Sequence, residues 1–194
     1  ILNFGSKMIL TNCTFANNSS LNGTCISLQA TSNGRSSAIN CTFYGNAATS
    51  SPGGAIYSVP ARSLSLENCI LVGNTATGGG PDMSGIDSSA NGHNIISNSS
   101  GITFSGSTAG NIIGVSPTSV INTTLANNGG ITQTLALIPG SPAINSAFNA
   151  LAPPSDQRTY ARVGNPDIGA YEFGGTAPLP VTLISFEGKF IKNK

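Results

Sequence analysis

Side chains that could do acid–base or metal chemistry are scarce in this chain. Of 194 residues, eight are Lys or Arg, seven are Asp or Glu, and one is His. Residues 1–125 carry only Lys7, Arg35, Arg62, Glu67, Asp82 and Asp87 as charged groups. Cleaving a polysaccharide needs paired carboxylates, or Lys or Arg bases beside a bound calcium, on one face. Arg35 and Arg62 fall near loops and could meet on one face; with Asp82 they are the only footing for a lyase or glycoside hydrolase. Cys13, Cys25, Cys41 and Cys69 include no CxxC pair, and His93 is the single His, so a Cys/His zinc site is not expected. No catalytic residue, metal or cofactor is assigned on these grounds.

Bulk properties narrow the partners. The net charge is +1 with no basic stripe, which argues against nucleic acid, because phosphate binding needs clustered Lys and Arg. No apolar run approaches the roughly 18 residues of a membrane span. Charged residues are 8% of the chain and apolar residues 39%. Disorder goes with low hydrophobicity and high charge, and this chain has neither. Solubility falls to hydroxyl and amide groups. The chain begins at Ile1 without Met or a charged–apolar leader, so it reads as an interior fragment whose export signal lies upstream.

What would position these residues is a repeat. "LTNCTFANN" from Leu10, "AINCTFYGN" from Ala38 and "LENCILVGN" from Leu66 align without gaps at a spacing of 28 residues. Asn12, Asn40 and Asn68 coincide, as do Cys13, Cys41 and Cys69, then Phe15, Phe43 and Leu71, then Asn18, Asn46 and Asn74. Around Asn68, Leu64 and Leu66 on one side and Cys69 and Leu71 on the other alternate as strands do. Asn tolerates left-handed backbone angles, so a tight bend is expected at Asn12, Asn40 and Asn68. "SSLNGT", "ATSSPGG" and "ATGGGP" are turn chemistry. A unit this short cannot bury its apolar face alone, whereas stacked coils can. The expected fold is all-β: a right-handed parallel β-helix over residues 1–126, with ladders of like residues and Asn amides bonding from coil to coil. "GHNIISN" offers Asn94 and Ile96 as a fourth coil, and "GNIIGV" a fifth, with Ile112 and Val115 in the core. Stacked inward Cys residues read first as free buried thiols, with a disulfide as the rival.

Two other readings of the composition are weak. Seven N-x-S/T sequons, at Asn12, Asn17, Asn18, Asn22, Asn40, Asn98 and Asn122, reflect an Asn- and Thr-rich chain more than glycosylation. Ice binding needs ranks of Thr, and Thr11/Ile39/Glu67 and Thr14/Thr42/Ile70 do not make them.

From Asn127 the character changes. "GGITQTLALIPGSPAI", then "DQR", then "DIGAYEF" together resemble the terminal domain of bacterial surface β-helix proteins called choice-of-anchor Q, over about residues 127–173. This chain has Asn145 where Asp usually follows "SPAI", and Thr159 where Gly commonly follows the Arg. The resemblance implies a secreted or surface-displayed β-helix. Residues 127–175 read as an irregular C-terminal cap, since an open solenoid edge needs a distinct terminal unit. The charges missing from the coils gather there: Asp156, Arg158, Arg162, Asp167 and Glu172 are expected to pair, for example Asp167 with Arg158. Calcium at Asp156 or Asp167 is a minor alternative, and a catalytic carboxylate pair a lesser one. Residues 176–194 read as a linker and a first strand; "LPVTLISF" resembles the junction ahead of type IX sorting domains in Bacteroidetes proteins. The resemblance implies export by the type IX secretion machinery, with a sorting domain after Lys194. The expected role is a non-enzymatic adhesin or structural module contacting extracellular glycans.

Overall fold

The computed structural model describes residues 1–21, 25–29 and 36–179. Arg35, the sequon at Asn22 and the strand expected from Val181 lie outside the described residues. The first coil is β1 (Leu2–Asn3), β2 (Ile9–Thr11), β3 (Thr14–Ala16) and β4 (Ser19–Ser20). The second is β5 (Ile26–Leu28), β6 (Ser36–Ile39), β7 (Thr42–Tyr44) and β8 (Ala47–Ala48). The third is β9 (Ile56–Ser58), β10 (Ser63–Glu67), β11 (Ile70–Val72) and β12 (Thr75–Ala76). Then come β13 (Met83–Asp87) with β14 (Ile95–Ile96), and finally β15 (Ile102–Phe104) with β16 (Ile112–Ile113).

Every pairing between these strands is parallel and joins successive coils. The chain is therefore a parallel β-solenoid. Phe15 aligns with Phe43 and Phe43 with Leu71, so the sequence spacing is the strand register. Later coils shorten: Ile70 aligns with Ile95, and Ile95 with Ile112. The single strand β13 pairs first with β9 through Met83 and Ser84, then with β10 through Ile86 and Asp87. Gly85 between them has φ +146°, and a Cβ there would stand 2.6 Å from the Ser58 Cβ. A bare backbone at this point lets one strand serve two sheets.

The expected bends are present: Asn12, Asn40 and Asn68 have φ of 52°, 49° and 56°. His93 (φ 57°) and Gly110 (φ 67°) continue the column in the shorter coils. Asn94, the residue that suggested a fourth coil, sits one place further on, in the Cys column. Its Oδ1 accepts the Cys69 N–H at 2.8 Å. The interior is a single apolar cluster containing Leu64, Leu66, Cys41, Cys69, Phe43, Leu71 and Ile96. Phe15 and Phe43 stack with ring centroids 5.0 Å apart and planes 3° from parallel.

A second core lies outside the coils. Ile70, Val72 and Ile95 on the outer face of β11 and β14 pack against Val120, Ile121, Leu135, Leu137 and Ile168, with Ile112 and Val115 at the margin. The C-terminal segment thus covers a flank of the stack. Closing an open end was the argument for a terminal unit; in the structure the unit touches four successive coils along one side.

Candidate functional site

The side chains that dock this segment are those of the bend column. A left-handed Asn turns its amide outward, and each amide finds backbone of the C-terminal segment. Asn12 Nδ2 donates to Ser155 O at 2.7 Å. Asn40 Nδ2 donates to Asp167 O at 2.9 Å and Gly169 O at 3.2 Å. Asn68 Nδ2 donates to Phe148 O at 3.1 Å, and its Oδ1 accepts the Phe148 N–H at 2.7 Å. His93 Nδ1 stands 3.0 Å from Ser146 O. The column makes one amide bond between coils, Asn68 to Asn40 at 3.3 Å.

Coil-to-coil amide bonding belongs mainly to the other Asn column. Asn18 Nδ2 donates to Asn46 Oδ1 at 2.9 Å, and Asn46 Nδ2 to Asn74 Oδ1 at 2.9 Å. The backbone N–H of Asn18 and of Asn46 adds to the same acceptors. Asn74 Nδ2 closes the ladder on Asp82 Oδ1 at 2.8 Å. Asp82 also accepts from Ser97 Oγ and the Asn98 N–H. Burial holds its carboxyl above the usual range, against the pull of those donors.

All five charged residues of the C-terminal segment come together in one buried network. Arg158 pairs with Asp156 at 2.7 Å, not with Asp167 as the sequence suggested. Sequence proximity decides it: a tight turn also brings the Arg158 and Tyr160 N–H groups onto Asp156 Oδ1. The Arg158 guanidinium lies between two rings, 4.2 Å from the Tyr160 centroid and 3.7 Å from that of Tyr171. It also donates to Asn128 O and Glu172 O. Arg162 pairs with Glu172 at 2.9 Å and reaches back to Asn12 Oδ1 at 3.1 Å. Asp167 accepts the Asn145 and Phe173 N–H groups. Burial pushes its carboxyl up to about 6, helped by the Glu172 charge and opposed by those N–H donors and Arg162. The oxygens of Asp156 and Asp167 are thus taken up by N–H donors. Among the described residues no three His, Cys, Asp or Glu side chains are grouped to hold a metal.

Two residues of the segment other than Gly adopt left-handed backbone: Asn145 at φ 56° and Thr159 at φ 68°. Asn accepts that region, but a β-branched residue is strained in it. Thr159→Gly should therefore stabilise the protein by about 1 kcal/mol, the relief of strain exceeding the added chain entropy of Gly. Chemical unfolding of the two proteins measures it; a less stable variant would contradict the assignment.

The residues weighed for polysaccharide cleavage are placed otherwise. Arg62 and Asp82 are buried, at 3% and 0% exposure. Glu67 and Asp87 are buried beside each other and turned to backbone: Glu67 accepts the Ala90 and Asn91 N–H groups, and Asp87 those of Leu66 and Ser89. Burial raises the Asp87 carboxyl to about 6, with Glu67 adding to it.

The Asp87 and Asp167 carboxyls set a pH dependence. A folded-state value near 6 against 3.8 unfolded means the native state holds protons that the unfolded state releases. Stability should fall as pH rises from about 4 to about 6 and level off above, by at most about 3 kcal/mol per group. Asp87→Asn should flatten that slope by its share. Urea midpoints between pH 4 and 7 test this; an unaltered slope would refute it.

None of the four cysteines forms a disulfide, and Cys25, Cys41 and Cys69 are buried. The Cys13 thiol is held above its ordinary value by its contact with Cys41 and by burial. At Cys41 the Cys13 contact pulls the other way, but the Cys69 contact and burial outweigh it. Such thiols stay protonated and behave as small apolar side chains.

The open coil surface is hydroxyl-rich. Ser37, Ser63, Ser65 and Ser88, with Lys7 and Ile9, line an outer groove of about 500 Å³. Stacked parallel coils and a second core along one side define the class as a parallel β-solenoid with a flank-covering C-terminal segment. Comparison with protein-family models, curated proteins and solved structures finds no match. No helix among the described residues is long and apolar enough to cross a membrane.

Proposed function

We propose that this chain is a non-enzymatic module of a secreted or cell-surface β-helix protein, acting as an adhesin or structural element that contacts glycans. The observation carrying this reading is the division of chemistry between inside and outside. Among the described residues the carboxylates are buried and hydrogen-bonded, and the Arg158 and Arg162 guanidiniums are paired with two of them, while the outer groove offers the hydroxyls of Ser37, Ser63, Ser65 and Ser88. Neutral hydroxyls exchange hydrogen bonds with a polyhydroxylated polymer without desolvating a charge. The strings at 127–173 support a choice-of-anchor Q type of terminal domain. The string "LPVTLISF" from Leu179 supports type IX export in a Bacteroidetes host, with the secretion machinery as a partner.

The test is incubation with immobilised neutral polysaccharides and with uronic-acid polymers. Retention without release of new reducing ends or unsaturated products is expected. Product release that disappears in a folded Arg62→Ala or Asp82→Asn protein would establish the lyase or hydrolase reading instead. Deletion of the type IX machinery in the host should leave the protein inside the cell.

A further inference from the structure

The first coil differs from the others in ways that specify a partner. β1, β2, β3 and β4 each end their sheet, all at the same end of the stack. The side chains there are apolar and open: Leu2, Phe4, Ile9 and Leu21 are 55–71% exposed. Cys13 and Phe15 are only half-buried, whereas Cys41 and Phe43, one coil on in the same columns, are fully buried. Residues 1–21 contain one charged side chain, Lys7, and no Pro. Strand edges meant to stay free usually carry such charges, prolines or bulges.

The Asn ladder gives the partner its chemistry. Asn46 Oδ1 accepts both the N–H and the Nδ2 of Asn18, and Asn74 Oδ1 accepts both from Asn46. Among the described residues no donor reaches Asn18 Oδ1. The rung it lacks is a backbone N–H plus a carboxamide at ladder spacing, which is what another Asn in the same column supplies.

We infer that the edge formed by β1–β4 is a docking surface for one further β-coil of this repeat, carrying Asn over Asn18 and an apolar side chain over Phe15. The coil-to-coil interfaces within the chain already show this geometry twice, Asn18 on Asn46 with Phe15 on Phe43, and Asn46 on Asn74 with Phe43 on Leu71. A second copy related by a two-fold axis would meet the edge antiparallel. In such a pair only a residue on the axis faces its own copy, and the Asn18 N–H and Nδ2 are already given to Asn46 Oδ1, so the amide rung would stay empty. The inference stands apart from the adhesive role proposed above.

The register supplies the experiment. Leu2 aligns with Ser27 and Ser27 with Tyr57, so Ile1 holds the position of Ile56. A second copy of residues 36–55 fused directly ahead of Ile1 should therefore lay its strands on β2, β3 and β4. The fused chain is expected to melt about 5 °C or more above the original and to bind less of a hydrophobic-surface dye. Asn46→Ala within the added copy should abolish most of that rise. The inference is overturned if melting is unchanged or lowered. It is also overturned if the Ala-bearing copy works as well as the unaltered one. Sedimentation of the original chain as a dimer that the fusion abolishes would likewise overturn it, by making a second copy the occupant.

Discussion

Replacing Arg158 by Met should destabilise the protein by about 3–5 kcal/mol, because it strands a buried carboxylate without its cation. Asp156 is 3% exposed and its ion pair with Arg158 is 2.7 Å. The same guanidinium fills the space between Tyr160 and Tyr171 and satisfies two carbonyls, Asn128 O and Glu172 O. The loss should be local before it is global. The C-terminal segment should become the first site of proteolysis while the coils persist, since the interior cluster includes none of its residues. Arg158→Lys should rescue only part, because an ammonium cannot make the forked contacts or stack between two rings. Urea unfolding combined with limited proteolysis reads both effects; a variant within about 0.5 kcal/mol of the parent, the usual range of a surface substitution, would refute the network's role.

Phe43→Ala should cost a similar amount, about 3–5 kcal/mol, by a different route. Phe43 is fully buried, with Phe15 stacked on one side and Leu71 next in the column on the other. Removing it opens a cavity that neither neighbour can fill without leaving its own coil. Phe15→Ala should cost clearly less, because Phe15 is only half-buried at the end of the column. The comparison matters more than either value. Equal costs would mean that the two rings do not occupy a middle and an end position of one stack.

Much of the solenoid was legible in the sequence because its coils keep one length. Where 28 residues separate like residues, register follows from arithmetic, and the bends at Asn12, Asn40 and Asn68 follow from Asn chemistry. The later coils were legible only in outline. Once coils shorten, His93 replaces Asn in the bend and Asn94 replaces Cys inside, so the matching columns no longer share a residue type. The covering of the flank had a signal that a search for alternation passes over. "ILV" at 70–72 is apolar at every position, which marks a strand buried on both faces. The corresponding residues of the first coil, Thr14 and Ala16, carry a hydroxyl and a single methyl and are only partly buried. The C-terminal charges lie together in the structure, but Arg158 does not pair with Asp167, the example the sequence offered. Arg158 belongs to Asp156 because a turn joins them, and turn geometry outweighed the appeal of a longer-range pair.

The most direct test of the account is a nuclear Overhauser spectrum of the protein labelled at Phe, Ile and Gly. Stacked coils with a covered flank predict strong cross-peaks between the Phe15 and Phe43 rings, and between Gly169 and the Ile70 Cδ1 methyl. Gly169 is placed so closely that a Cβ there would stand 2.6 Å from that methyl. Phe15 and Phe43 rings without mutual contact would contradict the stack itself, and with it everything built on the columns.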